Sequence, residues 1–508
     1  MSENNVNKIQ GKRVLIFQQR GWGFRIGHFL AKKLQDQGCH LAAFTMKRSV
    51  HKFVLNQKDV HYDLVINYDE VMADPKKYLG DSHYTLAQIC QDLGVPSVWP
   101  MASSVRNHFR CYGDKYYYSF RQNVSDEEII DYIKAVYKYV KIFFDEFKPD
   151  VILAPNFVES PHIMCSILAK KRGVKMLVPY DCKIRNIKIF TQDYLESSGS
   201  FDDQLNALNR GLAESKNMQV ARQYIREFRE SFKRPDYMDR IYKKTPLLKK
   251  IRQEFSPYRQ ILRWYLKRPD TLLGNVSIST DYRPPRIILR DHYAHRRYRK
   301  ITNNFNYYPF DQVKKFAYLT LQFQPEETTD VQAPYFNNQI DVARLSALSL
   351  PDDYTLVVKE HPMMVGYRPP SYFEKIARTP NVKLIDYRIP SDQVLRRADL
   401  IISPNSTVVA EAAFYNKPAI QFGNLGITLN LPNTFKHTDF TTLSAKIKEV
   451  LAVDLHTAEY ESRLENYVAA AYDAGFIFNY WGVWERNEKE DMEVLWQAYQ
   501  NEFNKVLS

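Results

Sequence analysis

The sequence predicts an α/β protein made of two doubly wound, parallel-sheet domains that face a cleft. Three observations predict it. Apolar strand-like runs alternate with amphipathic helices in two separate series, residues 13–179 and 314–422. Such alternation marks a parallel sheet with helices on both faces. Polar residues able to hold an anion follow strands of the second series, where open α/β sheets bind their ligands. Between the series, strand signals fade and a charged, proline-broken helical pattern takes over.

The first series runs strand 13–18, helix 24–37 ending near Gly38, strands 40–45 and 63–67, helix 129–147 and strand 151–154. A helix over 161–172 stops at Gly173, a glycine suited to the left-handed C-terminal position, and strand 175–179 follows. The second series runs strand 316–323, helix 333–349, strand 355–359, helix 372–378, strand 382–385, helix 391–396, strand 400–403, helix 407–415 and strand 419–422. After residue 422 the pattern reads as helical to the end. With 508 residues and roughly 100–200 per domain, the expected division is 1–196, a helical connector 197–302, 303–455, and C-terminal helices 456–508.

Charge is concentrated. The chain carries a net +13, and residues 240–300 alone hold 17 Lys/Arg against 4 Asp/Glu, so the remainder is neutral. Tyr242, Phe255, Tyr258, Trp264, Tyr265, Tyr282, Tyr293 and Tyr298 lie in the same segment. A basic, aromatic stretch fits an anionic membrane surface or an acidic polymer; the alternative is a solvated helical insertion whose charges pair with the rest of the protein. It carries no nucleic-acid-binding signature, so a nucleic-acid partner is not expected. No apolar run reaches the ~18 residues of a membrane span, and the polar lead before the first strand lacks the core of a signal peptide. The five cysteines, Cys39, Cys90, Cys111, Cys165 and Cys182, form no CxxC pair. A reduced cytoplasmic protein, able to sit peripherally on the inner membrane face, is the expectation.

The candidate site residues fall at strand ends. Lys359 and His361 follow one strand, and an imidazole or an ammonium can donate to a phosphate oxygen. Asn405, Ser406 and Thr407 open a helix after another strand; Asn405 or Ser406 is a natural N-cap, and the same helix end favours an anion. Glu411, one turn further in, can accept from a ribose. Gln324, Glu326 and Glu327 stand after strand 316–323 and can hold sugar hydroxyls or act as a base. In the first series, NFVESPH and PYDCKIRN bring Glu159, His162, Asp181 and Arg185 to strand ends as acceptor-side groups and candidate bases. QQRGWGFRIG holds Gly21, Gly23 and Gly27 in a turn expected to line the cleft, with Arg20 on the acceptor side. It is not a GxGxxG, and the next strand ends AAFT without an acid for a ribose, so a dinucleotide cofactor is not expected. Asp291, His292 and His295 are ringed by Arg290, Arg296, Arg297, Arg299 and Lys300, which would repel a cation, and no metal is expected there.

QFQPEETT, VVKEHP, PNVKLI and ISPNSTVVAEAAFYNKPAIQFG together resemble the capsule polysaccharide biosynthesis family, GT-B-type glycosyltransferases that include Kdo transferases. The resemblance covers about residues 314–426 and, more loosely, 150–195; residues 197–300 resemble nothing we can name. The HP and Ser/Thr loops also resemble those of bacterial sialyltransferases that use CMP-sugars. The resemblance implies a nucleotide-sugar co-substrate, CMP-activated for preference, with His361, Ser406 and Thr407 on its phosphate and no separate cofactor. The D/E-D/E-G motif that carries the base in those enzymes has no clear copy here. The implied mechanism is a single inverting displacement. An acid of the first domain, Glu159 or Asp181, takes the proton of a glycan or glycolipid hydroxyl. The phosphate leaves against His361, Lys359 and the helix start at Ser406 without a metal. Three other readings stay open: a CDP-glycerol or ribitol-type polyol-phosphate transferase, a sugar-nucleotide 2-epimerase, and a non-catalytic subunit of a capsule assembly complex.

Overall fold

The computed structural model describes residues 8–105, 124–233, 246–267, 285–479, 483 and 489–507. Cys111, residues 240–245 and 268–284, and with them Tyr242 and Tyr282, lie outside the described residues.

The first sheet is built from β1 (Arg13–Gln19), β2 (His40–Met46), β3 (Leu64–Asn67), β4 (Val151–Leu153), β5 (Lys175–Asp181) and β6 (Ile187–Thr191), in the order β6-β5-β4-β1-β2-β3. The pairs from β5 to β3 are parallel, and β6 returns antiparallel to β5. Along β1, Leu15 and Phe17 enter one core while Val14 and Ile16 enter the other. That is the two-sided apolar pattern of a strand covered by helices on both faces. One core includes Tyr132, Ile133, Val136 and Val140 of helix Asp126–Ile142. The other includes Ile26, Leu30 and Leu34 of helix Ile26–Asp36 with Leu495, Tyr499 and Phe503 of the C-terminal helix Lys489–Val506.

The second sheet contains β7 (Phe316–Thr320), β8 (Thr355–Lys359), β9 (Val382–Ile385), β10 (Leu400–Ser403), β11 (Ala419–Gln421) and β12 (Thr434–Lys436), in the order β12-β11-β10-β7-β8-β9. All its pairs are parallel. Ala317 and Leu319 of β7 face one core, Phe316 and Tyr318 the other. This strand order is that of a doubly wound nucleotide-binding fold. A last short strand, β13 (Phe476–Ile477), pairs antiparallel with β6 and extends the first sheet. The protein therefore has the two-sheet α/β architecture read from its sequence.

Several elements differ from expectation. The helix after β1 begins at once, as Arg20–Phe24, and a second begins at Ile26. Gly23 and Gly27 are packing glycines: a Cβ on Gly27 would lie 2.1 Å from Gln18 Oε1 and 2.4 Å from the Trp22 ring. The helix expected over 333–349 starts only at Gln339, because residues 334–336 form a 3-10 turn headed by Pro334. β7 stops at Thr320, three residues early. β6, β12 and β13 were not expected, and β12 and β13 correct the reading of a wholly helical end. TFK and FI are too short for a period to show.

The domains are joined by more than the chain. Phe201, Leu205, Tyr224 and Ile225 pack with Leu464, Tyr467 and Val468 in one core that also holds Cys182, Phe414 and Leu425. The Tyr467 hydroxyl stands 3.0 Å from the carbonyls of both Cys182 and Ile427, one from each side of the cleft. Gly426 N–H donates to the Leu195 carbonyl at 2.7 Å. A Cβ on Gly426 would lie 2.3 Å from the Glu196 carbonyl, so only glycine permits that approach.

Candidate active site in the interdomain cleft

A cavity of about 580 Å³ lies between the carboxyl ends of the two sheets. That is the size range of a pocket that buries a small-molecule ligand, ~300–1,000 Å³.

The wall from the second domain is built at the point where its strand order reverses, between β7 and β10. Thr320 closes β7, and its hydroxyl is 3.4 Å from that of Ser406. Gln322 fixes Thr320 by donating to its carbonyl at 2.8 Å and its hydroxyl at 3.0 Å. Ser406 Oγ accepts the Val408 N–H at 3.1 Å and caps the short helix Thr407–Ala413. Asn405 is a brace: its amide donates to the Thr328 carbonyl at 2.7 Å and accepts from Leu425 N–H at 3.3 Å. Thr407 and Glu411 of the same helix reach the cavity wall, with Glu411 largely buried.

His361 follows β8. Its Nδ1 accepts the Met363 N–H at 3.2 Å, which leaves the proton on Nε2 as a donor. Burial, helped by the Arg368 and Lys359 cations, holds the imidazole down at about 4, so it is a neutral donor at physiological pH. Glu360 Oε1 accepts both the His361 N–H at 2.7 Å and Arg368 Nη1 at 2.6 Å. Arg368 in turn donates to the Gln322 carbonyl at 2.5 Å. The Glu360–Arg368 pair has no solvent exposure and ties the ends of β7 and β8 together behind the cavity. The Lys359 ammonium is held by the Ile389 carbonyl and the Ser391 hydroxyl, each at 2.9 Å. It therefore adds positive potential from below rather than a free hand.

The wall from the first domain comes from β5, β6 and the loop after β4. Asp181 pairs with Lys188 at 3.0 Å and accepts the Lys183 N–H at 2.7 Å. Burial pushes its carboxyl up, but Lys188 and Lys183 together outweigh burial, and the group sits below its ordinary value. Glu327 crosses from the second domain, and its Oε2 accepts the Phe157 N–H at 3.2 Å. Behind it, Glu196 accepts from Gln332 at 2.7 Å. Glu327 and Glu196 are 6% and 3% exposed. Burial raises both carboxyls well above the ordinary range; Lys183 pulls both back, and Glu196 also feels the charge of Glu327. A buried carboxyl with this shift can trade protons near neutral pH.

Nine of the residues read from the sequence meet at this cavity: Asp181, Glu326, Glu327, Lys359, His361, Asn405, Ser406, Thr407 and Glu411. Glu326 stands exposed at the rim. Five stand elsewhere: Gln324, His162, Glu159, Arg20 and Arg185. Gln324 is buried beside Glu326, its amide on the Asn337 carbonyl. His162 is a core residue stacked on Phe17 at 4.4 Å, lowered to about 3 by burial. Burial raises Glu159, against the pull of nearby Arg20, beside Tyr68 and Tyr132 and away from the cavity lining. The backbone of Arg185 is held by the Tyr224 hydroxyl at 3.1 Å.

Sequence reading passed over Thr320, Gln322, Lys183, Lys188, Glu196 and Arg368. Thr320 was hidden because the strand was carried through to residue 323. Lys188 lies on β6, which was not expected although IKIFT alternates as a strand does. Nothing in the sequence announced Glu196. Among the described residues no group of three or more His, Cys, Asp or Glu is placed to hold a metal ion.

No protein-family model matches the chain, and no curated protein matches it. Solved structures show likeness at low identity. Thermosulfurimonas dismutans KpsC, a beta Kdo 2,7 transferase, is 12% identical with a TM-score of 0.35, covering 70% of this chain and 84% of that one. A UDP-GlcNAc 2-epimerase from Neisseria meningitidis, bound to UDP-GlcNAc, is 11% identical with a TM-score of 0.27, covering 91% and 97%. The Methanocaldococcus jannaschii UDP-GlcNAc 2-epimerase, in complex with UDP-GlcNAc and UDP, is 12% identical with a TM-score of 0.25, covering 91% and 99%. Similarity of this degree carries no argument about activity; the fold assignment rests on the chain's own strand order.

Proposed function

We propose that this protein is an inverting glycosyltransferase that moves a sugar from a nucleotide sugar to a glycan or lipid-linked hydroxyl. The observation that carries the reading is the cavity at the β7–β10 reversal, with a neutral imidazole donor, two hydroxyls and a raised carboxyl around one space. His361 Nε2–H and the Thr320 and Ser406 hydroxyls would hold the leaving phosphate, with Lys359 adding potential from below. A compact donor set of this kind suits a single phosphate and so favours a CMP-sugar, as the loop resemblance implies. Lys183, on the facing wall, would meet the carboxylate of an acidic sugar such as Kdo. Glu327, rather than Glu159, would take the acceptor proton, because it lines the cavity and its carboxyl is tuned upward. Asp181, kept ionised by its lysines, would orient the acceptor. No metal is required in this scheme, and turnover in the presence of a chelator is the expected outcome.

Thermal stabilisation by CMP, CDP, UDP and GDP at matched concentration tests the donor, since a ligand that binds only the folded state raises the melting point. A shift with CMP that His361→Ala removes is expected; a shift with UDP alone would end the CMP assignment. The buried carboxyl pair Glu196 and Glu327 also favours a second reading, a sugar-nucleotide epimerase that moves a proton at a sugar carbon. Conversion of a nucleotide sugar with no acceptor present would select it.

A further inference from the structure

We infer that the outer face of helices Leu247–Glu254 and Ser256–Lys267 is a docking surface for an anionic lipid bilayer. The inference goes beyond the proposed reaction and does not depend on it. Eight of the exposed large apolar side chains in the described protein fall between residues 247 and 266. Leu248 is 81% exposed, Leu266 73%, Tyr265 65%, and Phe255 and Leu262 each 60%. At ~100° per residue, Phe255, Tyr258, Leu262, Tyr265 and Leu266 share about a third of the helix circumference. Arg259 and Arg263 flank that stripe and are exposed. Pro257, Ile261 and Trp264 fall on the opposite side and are buried or half-buried. The helix therefore already has its inward seam, and the outer stripe is a second apolar face.

The support beneath is firm. Helix Pro285–Asn303 buries Ile287, Ile288 and Thr302. It meets helix Ser256–Lys267 through the Tyr258–Tyr293 hydroxyl contact at 3.3 Å, and Glu254 and Arg296 pair at 3.0 Å. It also seats His295 against Tyr367, ring centres 4.7 Å apart, and against Gly366, where a Cβ would lie 2.8 Å from the imidazole. Those residues belong to the turn that follows His361, so the basic helices are attached beside the cavity.

The occupant follows from the charge. Residues 246–267 and 285–303 hold twelve Lys/Arg and two Asp/Glu. A second copy would bring the same positive charge against itself. An acidic protein would match the charge but give the Leu, Phe and Tyr stripe no counterpart. An anionic bilayer satisfies both, because the stripe enters the acyl boundary while the arginines meet headgroup phosphates. Among the described residues no helix is long and apolar enough to cross a membrane, which fits a helix lying in the interface.

The test is co-sedimentation of the full chain with vesicles of phosphatidylcholine alone or mixed with phosphatidylglycerol. Expected is binding to the mixed vesicles, weakened by salt, with none to phosphatidylcholine. Leu262→Glu with Leu266→Glu should cut binding at least tenfold while the melting point and the CMP response stay unchanged. If that variant melts early, Arg259→Glu with Arg263→Glu decides instead. No binding of the native chain to the mixed vesicles, or native-level binding by the folded variants, overturns the inference. So does a dimer in light scattering that Leu262→Glu with Leu266→Glu dissociates, which would make the face a contact between copies.

Discussion

At the strand-order reversal of the first sheet, between β1 and β4, Gln19 donates to Asn156 at 2.6 Å and a neutral amide pair bridges the gap. At the equivalent reversal of the second sheet, between β7 and β10, Thr320 and Ser406 leave two hydroxyls at the cavity wall. Behind the cavity, the buried Glu360–Arg368 pair braces the ends of β7 and β8. The first sheet also gives the cavity an ion-paired carboxylate, Asp181, while the second gives it the raised carboxyl Glu327. Similar topologies thus yield unlike edges. The second edge offers hydroxyls and a raised carboxyl, the first an ion-paired carboxylate and a closed amide pair.

The largest expected effect tests that division at Glu327. Glu327→Gln keeps an acceptor for the Phe157 N–H but cannot take a proton, so kcat should fall about 10²–10⁴-fold with nucleotide binding retained. Asp181→Asn, by contrast, should mainly raise KM. Because the Glu327 carboxyl is raised and a base acts in its ionised form, activity should climb with pH toward neutrality rather than near the ordinary carboxylate value. Stability should run the other way. A group whose folded pKa is raised binds more protons in the folded state, so its contribution is full below the unfolded value and is lost as pH rises through the folded one. Melting curves of Glu327→Gln should lack that part of the decline. A kcat equal to native would return the base to the first sheet.

Next in size is the brace. Arg368→Ala leaves Glu360 buried without its cation, and breaking a buried pair costs about 3–5 kcal/mol. Urea unfolding should show that loss in the second domain. A loss under ~1 kcal/mol would mean the ends of β7 and β8 are not held by the pair.

How far the sequence reached can be judged at these same residues. The two-sheet plan was legible because β1, β2, β7 and β8 are apolar runs of five to seven residues between amphipathic helices. His361, Ser406 and Thr407 were legible because they sit two to four residues beyond a strand. Glu159 and His162, six and nine residues beyond β4, also follow a strand and yet stand away from the cavity, since order in the chain does not say which way the side chain turns. Arg368 and Glu196 were hidden for a different reason. Arg368 lies eight residues after its ion-pair partner, and Glu196 reaches the seam only when the domains close. Such partnerships are properties of packing, not of local pattern.

His361→Ala comes third. Losing one hydrogen bond to a charged phosphate should weaken CMP binding by about 1.5–3 kcal/mol. Because burial keeps the native imidazole neutral down to about 4, the His361 contribution to affinity should stay flat between about pH 5 and 8. A step near the ordinary histidine value in the native protein, absent from His361→Ala, would show that the imidazole binds in its charged form.

The smallest effect is expected at the first reversal. Gln19→Ala removes one side of a neutral, part-buried amide pair, and a single such bond contributes about 0.5–1.5 kcal/mol to stability. The melting point should drop by a few degrees at most, and CMP affinity should not change, because the bond lies on the wall facing the donor edge. A drop in CMP affinity comparable with that of His361→Ala would place the nucleotide against the first sheet. The two edges would then have exchanged roles: Asn156, Trp22 and Lys183 would have to carry the donor, and Thr320, Ser406 and His361 the acceptor.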